Sequence, residues 1–130
     1  MICDHLGIAV RDLVEAARLY SSAFGLEVTE RYTLPEEGVR IAFLPSGEID
    51  LELLEPIDHS GSVAKFLATR GPGLHHIAFQ VPDIEAALAR ASTAGCTVVA
   101  PGPHPGARGY LIAFLHPSTS GGVLIEFVQR

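Results

Sequence analysis

The chain contains a second copy of itself. "HLGIAVRDL", starting at His5, aligns with "HIAFQVPDI", starting at His76, at a spacing of 71 positions. Asp12 falls on Asp83 and Leu13 on Ile84 at the same spacing. "IAFL" occurs at Ile41 and again at Ile112, also 71 apart, and "FGLEV" from Phe24 matches "AGCTV" from Ala94 at a spacing of 70. Three matching stretches in one order at nearly constant spacing define a repeated unit of about 70 residues. This constrains the fold more than any other feature, because both copies must follow one plan within 130 residues.

That plan is legible in each copy. "CDHLGIAV" is a short apolar strand rich in Ile and Val. Asp12 stands where a helix N-cap belongs, with Glu15 three residues on, as in a capping box. Leu13, Ala17, Tyr20 and Phe24 follow at helical spacing, as do Ile84, Leu88 and Ala91 in the second copy. Gly25 and Gly95 fit C-terminal helix stops. Three strands are predicted after the helix, around Glu27 to Tyr32, Val39 to Pro45 and Glu48 to Glu55. Their second-copy equivalents are Thr97 to Ala100, Gly109 to His116 and Val123 to Val128. "PEEG", "PSGE" and "HPSTSGG" read as turns. The unit is therefore βαβββ, present twice, at about 1–56 and 74–130 of a single domain 1–130. The linker 57–73 is expected to hold a short helix in "SVAKFLATR".

The net charge is −6, and of nine basic residues only Lys65 is a lysine. No basic run appears, so nucleic acid is not expected as the main partner, although a few local arginines could hold an anionic small molecule. An apolar content of 48% points to a covered interface and hence an oligomer. No apolar run is long enough to span a membrane. The opening "MICDHLGIAV" has neither a basic n-region nor a cleavable apolar segment, so a cytoplasmic protein is expected. Cys3 and Cys96 lack metal-type spacing and read as reduced core residues.

Polar residues inside apolar strands need a reason, because burying them unpaired is costly. His5 and His76 begin the first strand of each copy. Glu52 lies in "IDLELLEP" and Glu126 in "GVLIEFVQ", 74 apart, which allows a slightly longer loop in copy two. Each copy thus supplies one His and one Glu from matching strands, a donor set that suits a divalent transition metal. Any one of them alone would read as a satisfied polar residue at a strand end; the paired recurrence favours the metal. Strand parity puts Glu52 on a face with Leu54, and Glu55, beside Pro56, is expected at the rim or in solvent. His75 has Asp4 as its first-copy counterpart and reads as a packing or hydrogen-bonding residue. His59, His104 and His116 lie in Gly/Pro-rich loops and read as solvent or loop hydrogen-bonding residues, with His116 the one near a site mouth.

The paired βαβββ plan with two His and two Glu resembles the vicinal oxygen chelate superfamily. Within it, "DHLGIAV", "LELLEP", "AKFLATRGPGLHHIAF", "PGARG" and "FLHPSTSGGVLIE" are similar to the methylmalonyl-CoA epimerase family. The resemblance implies an α+β fold in which two tandem βαβββ modules form a curved mixed or antiparallel eight-stranded sheet around a metal site. It implies a divalent cation, foremost Co2+, with Mn2+, Ni2+ or Zn2+ as others, held by His5, Glu52, His76 and Glu126. It also implies a homodimer acting on an acyl-CoA. Position 52 is often Gln in such epimerases, and the Glu here is what glyoxalase I uses. The implied reaction interconverts (2R)- and (2S)-methylmalonyl-CoA by removing the C2 proton, giving an enolate whose charge a Lewis-acidic metal would stabilise. Glu126 is the first expected base. Several epimerases carry a second Glu where this chain has Ile41, so Glu52 is the hypothesised base for the opposite face. Lys65, Arg70 and Arg108 are candidates for the CoA phosphates. The rival readings are a glyoxalase I-type lactoylglutathione lyase, a metal-free ligand-binding protein and an extradiol dioxygenase; "HPSTSGGVLIE" and "GLHHIAF" favour the epimerase.

Overall fold

Two aspartates decide where the long helices begin. Asp12, in extended backbone, accepts the Glu15 N–H at 3.0 Å, and Asp83 accepts the Ala86 N–H at 3.1 Å. Each satisfies one donor that a helix start leaves without an internal partner. Helix α1 spans Leu13–Phe24 and α3 spans Ile84–Thr93. The Glu15 carboxylate pairs forward with Arg18 along the helix. Gly25 ends α1 in the left-handed region, at φ +69°, with its N–H on the Ser21 carbonyl. The α3 cap is Ala94, one residue before Gly95.

The computed structural model describes residues 1–130, which pack as two units: His5–His75, and Met1–Asp4 together with His76–Arg130. The first unit carries β1 (Ile2–Ala9, shared at its start), β2 (Glu30–Leu34), β3 (Val39–Ser46), β4 (Ile49–Pro56) and the linker helix α2 (Ser62–Arg70). Its strand order is β2-β3-β4-β1, antiparallel except for the parallel β1–β4 pair. The second unit carries β5 (Gly73–Gln80, shared at its start), β6 (His104–Pro105), β7 (Leu111–Leu115) and β8 (Ile125–Gln129). Its order is β5-β8-β7-β6, again with one parallel pair, β5–β8. Both copies therefore adopt the βαβββ plan, and α2 covers the stretch "SVAKFLATR". No helix is long and apolar enough to cross a membrane. Cys3 and Cys96 are free thiols.

Alternation along the strands separates two faces in each unit. One face meets the helix. In the first unit Val10, Ala42, Leu44 and Leu53 pack with Leu13, Ala17 and Tyr20 of α1. In the second, Ala113, Leu115 and Phe127 pack with Ile84 and Leu88 of α3. Leu53 has 0% of its surface exposed. Leu53→Ala is expected to lower stability by about 2–5 kcal/mol, read as a lower denaturant midpoint at unchanged slope. A loss below about 1 kcal/mol would place Leu53 outside the tightly packed core.

Two expectations need correction. Thr97 to Ala100 does not form a full strand: Val98 makes one isolated bridge to Leu115, and the edge strand forms later, at His104–Pro105. Pro101, Pro103 and Pro105 lack the N–H donors that would extend this ladder. For Glu55 the solvent alternative falls and the rim stands: the side chain is half-buried at the end of β4. Its carboxylate accepts the Leu13 N–H at 2.8 Å and pairs with Arg40 at 3.1 Å, so it anchors the first residue of α1. Gln129 does the same for α3, accepting the Ile84 N–H at 2.7 Å.

Candidate metal and active site

The face away from the helices carries the chemistry. In the first unit, β1 and β4 run in parallel with Gly7 opposite Glu52 and His5 opposite Asp50. His5 and Glu52 thus share a face. Phe43, opposite Glu52 on β3, lies on it too and meets the His5 ring edge-on, with centroids 6.0 Å apart. The His5 Nε2 to Glu52 Oε2 distance is 3.6 Å.

The second unit repeats this arrangement. Ala78 of β5 stands opposite Glu126 of β8, and Phe114 of β7 opposite Glu126 on the other side. His76 meets Phe114 edge-on at 5.9 Å, and its Nε2 lies 3.0 Å from Glu126 Oε2. Phe43 and Phe114 are themselves repeat equivalents, the third letters of the two "IAFL" stretches. The two histidines and two glutamates are each only 4–5% exposed.

These pairs fit a divalent metal. Burying a carboxylate is costly unless positive charge or hydrogen bonds compensate. The 3.6 Å gap between His5 and Glu52 is too long for a hydrogen bond between them. Two donors about 2.1 Å from one tetrahedral or octahedral ion lie about 3.0–3.4 Å apart, which both pairs approach without rearrangement. Neutral imidazole with carboxylate is a ligand set that suits first-row divalent ions.

The remaining candidates fall into place by contact and burial. Ile41 is buried on the same face as Glu52, opposite Leu54, and has no proton to transfer. His75 packs edge-on against Phe66 of α2, at 5.1 Å, as a packing residue should. His104 lies in β6 opposite Ile112, half-buried, with Nδ1 2.7 Å from the Gly102 carbonyl. His59 and His116 are exposed. Lys65 is exposed on α2, and Arg70 stacks over Phe66 at 5.7 Å. Arg108 is half-buried in the loop before β7.

One contact escaped sequence reasoning. Asp4 is buried and accepts two hydrogen bonds from Arg130, at 2.7 and 3.1 Å. Arg130 in turn lies over the Tyr110 ring, 5.4 Å from its centroid. The hydrogen bond to Asp4 raises the Arg130 pKa above its ordinary value, while the like charge of Arg108 works against that rise. Nothing in the spacing announces this pair, because Asp4 has His75, not a second acid, as its counterpart and the two partners stand 126 positions apart.

Comparison with known proteins places this geometry in context. Residues 4–114 match the Glyoxalase/Bleomycin resistance protein/Dioxygenase superfamily. The chain is 38% identical over 128 residues to the ethylmalonyl-CoA/methylmalonyl-CoA epimerase of Cereibacter sphaeroides, covering 97% of this chain and 96% of that one. It is 37% identical over 127 residues to the mitochondrial methylmalonyl-CoA epimerase of Homo sapiens, covering 97% and 72%. A variant of the Streptomyces coelicolor methylmalonyl-CoA epimerase, solved in complex with 2-nitronate-propionyl-CoA, is similar in structure with a TM-score of 0.94. It shares 38% identity, with 99% of this chain and 96% of that one covered.

Proposed function

The chain belongs to the Glyoxalase/Bleomycin resistance protein/Dioxygenase superfamily, and from that membership we propose that it is an epimerase interconverting (2R)- and (2S)-methylmalonyl-CoA. The observation that carries this is the recurrence of one buried His–Glu pair in each copy, in a chain 37–38% identical to methylmalonyl-CoA epimerases along nearly its whole length. In this reading residues 1–130 form a single domain built from the two copies. His5, Glu52, His76 and Glu126 hold one divalent cation, with Co2+ ahead of Mn2+, Ni2+ and Zn2+. The protein acts as a homodimer in the cytoplasm.

The chemistry demanded is proton transfer at a carbon between a thioester and a carboxylate. When bound, the cation supplies Lewis acidity that steadies negative charge on substrate oxygens. The chain's own groups do the rest. Glu126 takes the C2 proton on one face and Glu52, its repeat equivalent, delivers one on the other. Near-complete burial of both carboxylates keeps bulk water from competing for the carbanion. Phe43 and Phe114 fix the imidazoles edge-on, so the donor atoms are held before substrate arrives.

Glu52 is also what favours a second reading, a glyoxalase I-type lactoylglutathione lyase, because that enzyme uses Glu at this position. One experiment separates them: metal-dependent exchange of the C2 proton of methylmalonyl-CoA with deuterated solvent, run beside turnover of methylglyoxal plus glutathione. Absence of exchange above background with every divalent metal tried would remove the epimerase reading. Glu52→Gln, assayed with substrate deuterated at C2, is expected to slow wash-out by at least about 100-fold from one epimer. Undiminished exchange from both epimers would show that Glu52 is not a base.

A further inference from the structure

We propose that Arg108, together with Arg130, holds the phosphates of the CoA moiety. The inference deepens the epimerase reading and rests on it. It begins with Tyr110, which packs with Ala78, Ile112, Val128 and Phe114. Ala78, Val128 and Ile112 lie two residues along their strands from His76, Glu126 and Phe114, and so share their face. Tyr110 continues that face outward. It is four residues from Phe114, about 13 Å along the strand from the Phe114–Glu126 pair.

The loop before Tyr110 is built to lie on this face. The Gly106 N–H bonds the Tyr110 carbonyl at 2.8 Å and the Gly109 N–H bonds the Gly106 carbonyl at 3.2 Å. A Cβ on Gly106 would stand 2.7 Å from Ile112 Cδ1, so only glycine lets the backbone approach this closely. Arg108 sits at the turn with φ +63° and ψ 7°, the one non-glycine residue of the chain with positive φ. Side-chain-bearing residues disfavour this conformation, and such strain gathers at ligand clamps. A glycine would occupy the turn without strain, yet the chain keeps a guanidinium there.

Charge completes the argument. Arg108 stands two residues before Tyr110, and the Arg130 guanidinium lies over the Tyr110 ring, held there by the Asp4 carboxylate at 2.7 Å. Two cations are thus gathered at the rim of one face in a chain of net charge −6. In the substrate, the acyl carboxylate is engaged at the reacting carbon. The other anionic groups are the diphosphate and ribose phosphate, which the pantetheine arm sets well away from the thioester. Guanidinium is suited to such oxygens because its N–H groups match them in pairs. Lys65 and Arg70 lie on α2 in the other unit, away from Tyr110 in the chain.

The test uses two substrates, methylmalonyl-CoA and methylmalonyl-pantetheine, which lacks every phosphate. Arg108→Gly is the variant, because glycine suits the turn and removes the side chain without threatening the fold; Arg108→Lys asks whether charge alone suffices. For Arg108→Gly, KM for methylmalonyl-CoA is expected to rise about tenfold or more, with kcat within about twofold. Kinetics with methylmalonyl-pantetheine should match those of the unaltered protein, and the KM effect should shrink as salt rises. Equal effects on both substrates, or none on either, would overturn the proposal. Should the unaltered protein turn over neither thioester, the epimerase reading fails instead. Calorimetric titration with CoA then decides: binding equal in the unaltered protein and Arg108→Gly, or absent from both, overturns the phosphate site.

Discussion

Glu126→Gln is expected to reduce kcat for epimerisation by about 10²–10⁴-fold, the range a positioned proton-transfer group contributes. The substitution keeps the size and shape of the side chain and one carbonyl-type oxygen near His76 Nε2, 3.0 Å away in the structure. What it removes is the ability to accept a proton. The isotopic pattern is sharper than the rate. If Glu126 and Glu52 serve opposite faces of C2, each variant should block solvent exchange from one epimer and spare the first proton transfer from the other. Glu126→Gln and Glu52→Gln would then have mirror-image wash-out curves. Exchange at the unaltered rate from both epimers in Glu126→Gln would remove this residue as a base.

His76→Ala is expected to abolish both metal content and turnover. His76 is almost fully buried and sits beside Glu126 on the face that carries the chemistry. Its loss takes one of the two imidazoles from the proposed donor set and leaves no nitrogen ligand beside Glu126, where the ring had packed against Phe114. Elemental analysis after dialysis should fall from about one ion per chain to under a tenth of that, with C2 exchange at background. His75→Ala is the matched control. Its ring packs on Phe66, outside the donor set, so metal content and exchange should stay near those of the unaltered protein. Metal retained in His76→Ala, or lost in His75→Ala, would reassign the ligand between these neighbours.

The adjacent histidines show why so much of the site was legible in the sequence. Strand geometry alone makes His75 and His76 opposite in direction without saying which matters. The 71-residue spacing selects His76 as the partner of His5, and burial and ring contacts agree. The helix starts were legible for the same reason: Asp12 and Asp83 cap through a local hydrogen bond, whose signature spans three residues. What stayed hidden depends on long-range contact. Glu55 and Gln129 each anchor a helix more than forty residues away, and a place beside Pro56 at a strand end puts Glu55 at the rim or in solvent without naming its partner. A signal was present, since Glu55 and Gln129 are 74 apart, the same spacing as Glu52 and Glu126. The prolines after Ala100 shifted the edge strand downstream, where neither periodicity nor the repeat could place it. Arg130 meets Asp4 across almost the whole chain, and no local pattern encodes such a contact.

That last contact bears on how the polypeptide is threaded. Asp4 and Arg130 are 126 positions apart in sequence, yet they clasp each other at 2.7 Å, so a residue near the start of β1 is tied to the residue that follows β8. Such a tie forms late, because a contact between residues this far apart must wait until the chain between them is ordered.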